Sequence, residues 1–417
     1  MREAELDATE RAGTFTAETR GPISLGERED VASHAVDLTA DIVVTVEGIR
    51  ALTPDYEYLY RVSGNTLPFA LQDWHLTWCA HFLNRNRQIQ EQPLFHVLRT
   101  SAGECVAIVP LILTRRRLGP LKVATVGSIG ADPGLTEIRS SLVKPGYERL
   151  TVRAVHQSLA GVADWDWVQW NGISGAMAEA MARETTPQWY AASDDYVLDL
   201  PSSWEEFRAG LKRNVRESLR HCYNSLRRDG HAFEFIVARE RGEVLQALQR
   251  FFELHALRAN MARGPKHPNY FSGRPLQEFL RDICHSLAAR DAVRVFQLRI
   301  GTEIVASRIG FVVGDSVYLY YSGFDPAWAR YSVMTTTVAE AFKYAIAHGL
   351  TTVNLSLTGE QSKLRWRPRR VEFHSALVHR EALSSRIACR AYRVALSTNG
   401  APAKLLKNLF WAHRDWN

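Results

Sequence analysis

The sequence predicts an α/β (α+β) protein of two tandem lobes, each a mixed, mostly antiparallel sheet flanked by helices. Three observations predict it. At 417 residues the chain exceeds what one hydrophobic core usually serves. With 46% hydrophobic and 10% aromatic residues it has enough apolar surface to offset the entropy of ordering, which excludes wholesale disorder. Runs of period two and stretches of period 3.6 also follow one another along it, first up to about Ser193 and again from Tyr196.

Residues 1–41 are rich in Glu, Thr, Ala and Gly without an apolar period, and read as a disordered acidic tail. They hold four Arg against ten Asp and Glu, so with a net charge of +6 the rest of the chain carries +12. An N-terminal lobe is expected over 42–195. Ile42, Val43, Val44 and Val46 open a strand, and Trp74, Trp78 and Phe82 recur every fourth residue along a helix. Phe95–Leu98, Cys105–Leu113 and Leu121–Val126 form an antiparallel meander with its first turn at Gly103-Glu104. A helix with Leu150, Val155 and Leu159 and a strand Trp165–Trp170 complete the lobe.

The second lobe is expected over 196–380, with a basic helical extension at 381–417. Its strand Tyr196–Leu200 leads to Ser202 and Ser203, each placed three residues before a Glu as in a capping box. Trp204, Phe207, Leu211, Val215, Leu219, Cys222 and Leu226 then predict one helix of about seven turns up to Gly230. Helices at Val244–Arg258 and Pro275–Ala289 precede strands Ala292–Ile300, Glu303–Val313 and Ser316–Gly323, with turns at Gly301 and Gly314. A helix Thr335–Ala347, a left-handed cap at Gly349 and a strand Thr352–Leu357 follow.

At Tyr196–Pro201 with Trp204–Phe207, and again at Lys363-Leu364-Arg365-Trp366, the sequence resembles the cellulose-biosynthesis (CelD/BcsL-like) acetyltransferases of the GNAT superfamily, which are related in architecture to the FemABX peptidyltransferases. Arg213, Arg216, Arg227, Arg228 and Gly230, Leu254-His255 with Arg258, and Tyr331-Ser332 lie between those anchors in matching order. Pro68-Phe69, Trp74, Trp78 and Pro110-Leu111 resemble the degenerate first half of that family, so the likeness spans about residues 50–380. It implies two tandem GNAT-like lobes and transfer of an acyl group to an amine. Where the family tends to have Pro-Gly after Tyr-Ser this chain has Val333-Met334, and where a later strand usually bears Asp it has Asn354.

The implied co-substrate is acyl-CoA, whose pyrophosphate would sit at the start of the Thr335 helix, against Tyr331, Ser332, Thr335 and Thr336. His255 is the candidate for taking the acceptor's proton, since an imidazole suits that work near neutral pH. Tyr321, with Tyr320 beside it, would orient the acceptor or protonate the leaving thiolate. Alternation sends Tyr318 and Tyr320 to one face and Tyr321 to the other. Lys363 and Arg258 would hold an anionic group, with Trp366 as a wall and Trp74 in the first lobe completing the acceptor cleft. Arg208, Lys212, Arg216 and Arg220 form a ridge able to meet phosphates. Backbone donors of Phe296–Ile300 and Tyr318–Ser322, taken as parted strands, would stabilise the tetrahedral oxyanion. A satisfied core histidine, sheet-packed tyrosines and a solvated basic helix face are the ordinary structural readings of the same residues.

Composition narrows the partners. The five scattered cysteines form no metal-ligand spacing, so no metal is expected and the thiols read as reduced. Charges at Arg2, Glu3, Glu5 and Asp7 occupy the place of a signal-peptide apolar run, and no transmembrane stretch is present, so a cytoplasmic enzyme is expected. A membrane-peripheral variant would use the basic amphipathic segment 404–411 to reach a lipid-linked acceptor. Alternatives are an aminoacyl-tRNA or carrier-protein thioester as donor, and a non-catalytic scaffold in a polysaccharide or natural-product pathway. DNA is not an expected partner.

Overall fold

The computed structural model describes residues 38–85, 89–118, 121–132, 134–162, 164–261 and 267–397. Most of the expected acidic tail, the segment 404–411, and residues 262–266 of the loop after Arg258 lie outside the described residues. The chain divides into two compact units, one grouping residues up to 65, 69–193 and 372 onward, the other 66–68 and 194–371.

In the first unit β1 (Leu38–Val43) starts ahead of Ile42 and ends before Val46. Thr45 caps a helix there, its hydroxyl accepting from the Gly48 amide at 3.0 Å, so Val46 opens α1 (Val46–Ala51) rather than extending the strand. α2 (Thr53–Ser63) and α3 (Gln72–Phe82) follow. Then come β2 (Ile89–Thr100), β3 (Cys105–Leu118), β4 (Leu121–Ser128), the short β5 (Leu142–Val143), α4 (Glu148–Ala160), β6 (Trp167–Ile173) and α5 (Gly175–Glu184). β1 to β4 pair successively antiparallel, and α4 crosses over so that β6 lies parallel to β4. The chain leaves this unit within β7 (Gln188–Asp199) and returns within β13 (Arg369–His379), which pairs antiparallel with β6. Val109, Leu111, Val126, Val155, Leu159, Val168 and Met181 fill its core.

The second unit repeats that topology. After β7 come α6 (Trp204–Gly210), α7 (Arg213–Arg228), β8 (Phe233–Ala238), α8 (Arg241–Ala259) and α9 (Arg274–Ala288). β9 (Val293–Ile300), β10 (Glu303–Val313) and β11 (Ser316–Phe324) form the meander. α10 (Val333–Ala347), β12 (Thr352–Leu357) and the single turn α11 (Gln361–Leu364) complete it. The strand order is β7-β12-β11-β10-β9-β8, antiparallel except for β11 with β12. Gly301 and Gly314, both at φ +59°, make the two hairpin turns that glycine best permits.

The long helix expected over 204–230 is two helices. Leu211 and Lys212 take extended ψ angles of 151° and 148° between α6 and α7. Gly210 weakens helical continuity at the break. Freed carbonyls find guanidinium donors: Arg216 bonds Ala209 O at 3.1 Å and Arg367 bonds Gly210 O at 3.1 Å. Because Leu211 stays buried, the apolar stripe survives the break and packs on Phe296, Val317, Leu319, Phe342 and Val353. α12 (Leu383–Ser397) follows β13 in the first unit.

Candidate active site

β11 and β12 are parallel partners only at Ser316–Tyr318 against Thr352–Asn354. Beyond Tyr318 and Asn354 the two strands continue to Phe324 and Leu357 without a shared ladder, so the sheet opens there along a strand edge. The expected opening beside Phe296–Ile300 is not found, because β9 is paired on both sides, with β8 and β10. In a strand–helix–strand crossover the helix begins at the carboxyl end of the first strand. The start of α10 and the residues after β12 therefore share the edge at which the sheet parts. A common neighbour agrees with this. Cys222 of α7 neighbours Ser332, which offsets part of the rise that burial gives its thiol, and Ser218, one turn earlier, accepts from Arg365 at 2.8 Å.

At the start of α10, Ser332 is the N-cap in the left-handed region (φ 54°, ψ 42°) and no side chain caps the helix. The amides of Thr335 and Thr336 turn back to the Ser332 carbonyl at 2.8 and 3.3 Å, leaving the positive end of the helix dipole beside the opening. Thr336 is fully buried, whereas Thr335 is partly exposed. Tyr331 is buried, its hydroxyl bonded to Asp229 at 2.9 Å and to His231 at 3.1 Å, and so fixes the preceding turn. Val333 is 1% exposed and packs in the core with Leu298 and Val305.

The end of β12 carries a polar network only partly visible in the sequence. Asn354 donates to the Asp195 carboxylate at 2.6 Å and accepts from the Ser356 amide at 2.7 Å. The β7–β12 register shifts between Asn354 and Leu357, and Ser356 and Thr358 sit at φ +65° and +73°. Such conformations cost about 1–3 kcal/mol each and concentrate at functional sites. Lys363 donates to Ser356 Oγ at 3.1 Å and to the Leu357 carbonyl, so its ammonium lies on the strand end. Asp195 is 1% exposed. Burial raises its carboxyl to about 6, against the opposing pull of Asn354, the Tyr196 amide and Lys363. Sequence reasoning missed it. Asp194-Asp195 stood at an apparent lobe boundary, and the usable signal was Asn354 on the strand that turned out to be its partner.

His255 lies on α8, packed against β11 where Gly323 allows the helix backbone to approach. A Cβ there would lie 2.3 Å from the His255 nitrogen. The imidazole Nδ1 is 3.0 Å from the Ser322 carbonyl, which can only accept, so Nδ1 carries the proton. Burial lowers this histidine to about 4. Phe251, Phe271 and Tyr321 surround the ring. Arg258 donates to Ser322 Oγ at 2.7 Å and contacts His267 at 2.9 Å. A register irregularity between Arg308 and Gly310 corrects the expected separation of the tyrosines. The rings of Tyr320 and Tyr321 meet edge-on at 4.5 Å instead of facing opposite ways.

Trp366 is buried between Phe207 and Phe342, a core anchor with no open face shown toward the groove. Trp74 is fully buried in the first unit, its indole donating to Thr136 at 2.9 Å. Arg216 caps α6 and lines a surface groove with Arg208 and Arg220. Among the described residues no cluster of three or more His, Cys, Asp or Glu could hold a metal, and no helix is long and apolar enough to cross a membrane.

The second unit is thus a mixed sheet that opens at one parallel pair, beside the start of its crossover helix. Residues 213–366 match the family model described as the acetyltransferase (GNAT) domain. A crystal structure of FemX is similar at 10% identity with a TM-score of 0.54, covering 77% of this chain and 95% of that one, which shows a shared fold. A protein of unknown function from Bacteroides thetaiotaomicron VPI-5482 aligns at 12% identity and TM-score 0.47, over 81% of this chain and 100% of that one. A tandem GNAT protein from the clavulanic acid biosynthesis pathway aligns at 11% and 0.42, over 82% and 98%. No curated protein sequence matches the chain.

Proposed function

We propose that the second unit is an N-acyltransferase moving an acyl group from an acyl thioester, acyl-CoA in the first instance, to the amine of a small-molecule, sugar or lipid-linked acceptor by direct attack. The observation that carries this reading is the parting of β11 from β12 next to the uncapped start of α10. A thioester chain can add itself to the open strand edges as a further strand would, with its phosphates at the amides of the helix start. The acceptor amine, once neutral, attacks the thioester carbonyl. The tetrahedral oxyanion then collapses to amide and thiol without an enzyme-bound intermediate.

Asp195 and His255 divide the proton work differently from the sequence expectation. A histidine lowered to about 4 is a weak acceptor at neutral pH, whereas a carboxyl raised to about 6 is matched to it. In this reading the Asp195–Asn354–Lys363 network sets the charge at the strand end, and His255, Tyr321 and Arg258 shape the α8 side of β11. Tyr331 and Ser332 hold the turn, Thr335 and Thr336 lie in the first turn of the donor-binding helix, and Trp366 fixes the loop of Lys363. The cellulose-biosynthesis type and a cytoplasmic or membrane-peripheral setting belong to the same proposal.

Incubation with a panel of acyl-CoAs and amines, reading released thiol, tests it. Turnover that falls at least 100-fold in Lys363→Ala and Asn354→Ala, with intersecting initial-rate lines, is expected. Absence of thiol release across the panel, with no coenzyme A binding, would overturn it. Val333, buried where the family tends to carry Pro-Gly, favours a second reading in which the donor is an aminoacyl-tRNA or carrier-protein thioester. Salt-sensitive tRNA binding without coenzyme A binding is its signature.

A further inference from the structure

α6, α7 and the far part of α10 line an open groove of about 610 Å³ in the second unit, walled by Trp204, Arg208, Arg216, Arg220, Tyr223 and Lys343. Lys343 stands ten residues into α10, roughly 15 Å along the axis from the helix start at 1.5 Å per residue, so the Lys343 end of the groove lies away from the proposed donor site. Its charge is lopsided. Lys343 is neutralised by Glu340 at 2.8 Å, and it also lies 4.7 Å from the Tyr223 ring centroid. Arg216 spends one N–H on the Ala209 carbonyl, and the side chains of Arg208 and Arg220 have no hydrogen-bond or ion-pair partner among the described residues.

The nearby carboxylates do not answer these cations. Glu217 pairs with Arg213 at 2.7 Å, Asp229 pairs with Arg228 at 2.7 Å, and among the described residues of the groove wall Glu205 is the one carboxylate. The first turn of α7 holds no acidic residue, and its N-cap is Lys212. Cations at the positive end of a helix are placed against the dipole, the reverse of what helix stability alone favours. A bound anion relieves the mutual repulsion of the arginines that share the groove wall.

We propose that this groove is a second binding site, taking the di- or polyphosphate group of a small ligand. Arg216 and Arg220, one helical turn apart at about 6 Å, bracket adjacent phosphates, with Arg208 closing the site from α6. Its volume is that of a small-molecule pocket, and its concave walls suit a compact ligand better than a continuous nucleic-acid track. The site goes beyond the acyl-transfer reading and does not depend on it.

Calorimetric titration of the full chain with inorganic pyrophosphate and with ADP, at low and moderate salt, tests the site. Both should bind wild type, more weakly as salt rises. The exposed double variant Arg208→Gln/Arg220→Gln should lose at least tenfold in affinity while keeping its melting temperature. Thr335→Asp, which places a carboxylate at the start of α10, should leave pyrophosphate binding intact. The proposal falls if neither ligand binds, if the double variant binds equally well, or if Thr335→Asp alone abolishes binding. It also falls if a 12-nucleotide RNA binds more tightly than pyrophosphate through the same arginines. Thiol release from acyl-CoA, measured in parallel, reports separately on the transfer reaction.

Discussion

Asp195 shows at the scale of one residue how a site can be retained at a cost in stability. An isolated aspartate has a pKa near 3.9, and burial raises this one to about 6. The folded state therefore holds the proton more tightly than the unfolded state between those values. The contribution of this group to stability is greatest below about 4, falls as the pH rises through 6, and stays lower above it. Replacement by the isosteric amide removes the loss and leaves an acceptor for Asn354. Asp195→Asn should stabilise the second unit at pH 7.5 by on the order of 2–3 kcal/mol, with no advantage at pH 4, in denaturant titrations at both pH values. Acyl transfer, where it occurs, should drop in the same variant. A stability gain that persists at pH 4 would show that the carboxyl is not the source.

Among elements, the contact of α8 with β11 and the break between α6 and α7 depend on glycine in opposite senses. Gly323 has no room for a side chain, since a Cβ would meet the Leu254 and His255 backbone at 2.5 and 2.3 Å. Gly323→Ala must push α8 off the strand, and should destabilise the second unit by several kcal/mol, within the range of severe core overpacking. A Cβ added at Gly210 would meet nothing within 4 Å, and the backbone there has no positive φ. Gly210→Ala should therefore be neutral or stabilising by about 0.4–1 kcal/mol. Thermal melts of the pair check both signs. The apolar stripe from Trp204 to Leu226 was legible because burial periodicity survives a break. The break itself was not, and one guanidinium that takes up a carbonyl it frees belongs to Arg367, which is remote in sequence and donates to Gly210.

At the scale of the molecule, each unit runs three antiparallel strands, a crossover helix and a strand parallel to the third, as β2-β3-β4-α4-β6 and β9-β10-β11-α10-β12. The chain closes the first unit with residues that come after the second, since β13 pairs with β6 and buries Ala376 and Leu377. Leu377→Ala should destabilise the first unit by about 2–5 kcal/mol while residues 194–371 keep their own protease resistance. Limited proteolysis followed by mass mapping distinguishes this from a substitution that loosens both units alike.

Two tandem lobes, the meander with its glycine turns and the helix that follows it were determined by sequence, because apolar period, turn chemistry and capping act over a few neighbouring residues. The order of Tyr331 and Ser332 after β11 and of Lys363 after β12 was legible from the same local pattern. Tertiary structure decided the rest: that Trp366 and Trp74 are core, that His255 is buried against Ser322, that Asp195 meets Asn354, and that residue 372 returns the chain to the first unit. Those outcomes depend on partners far apart in sequence, and burial is a property of what packs against a residue, which its neighbours along the chain do not specify.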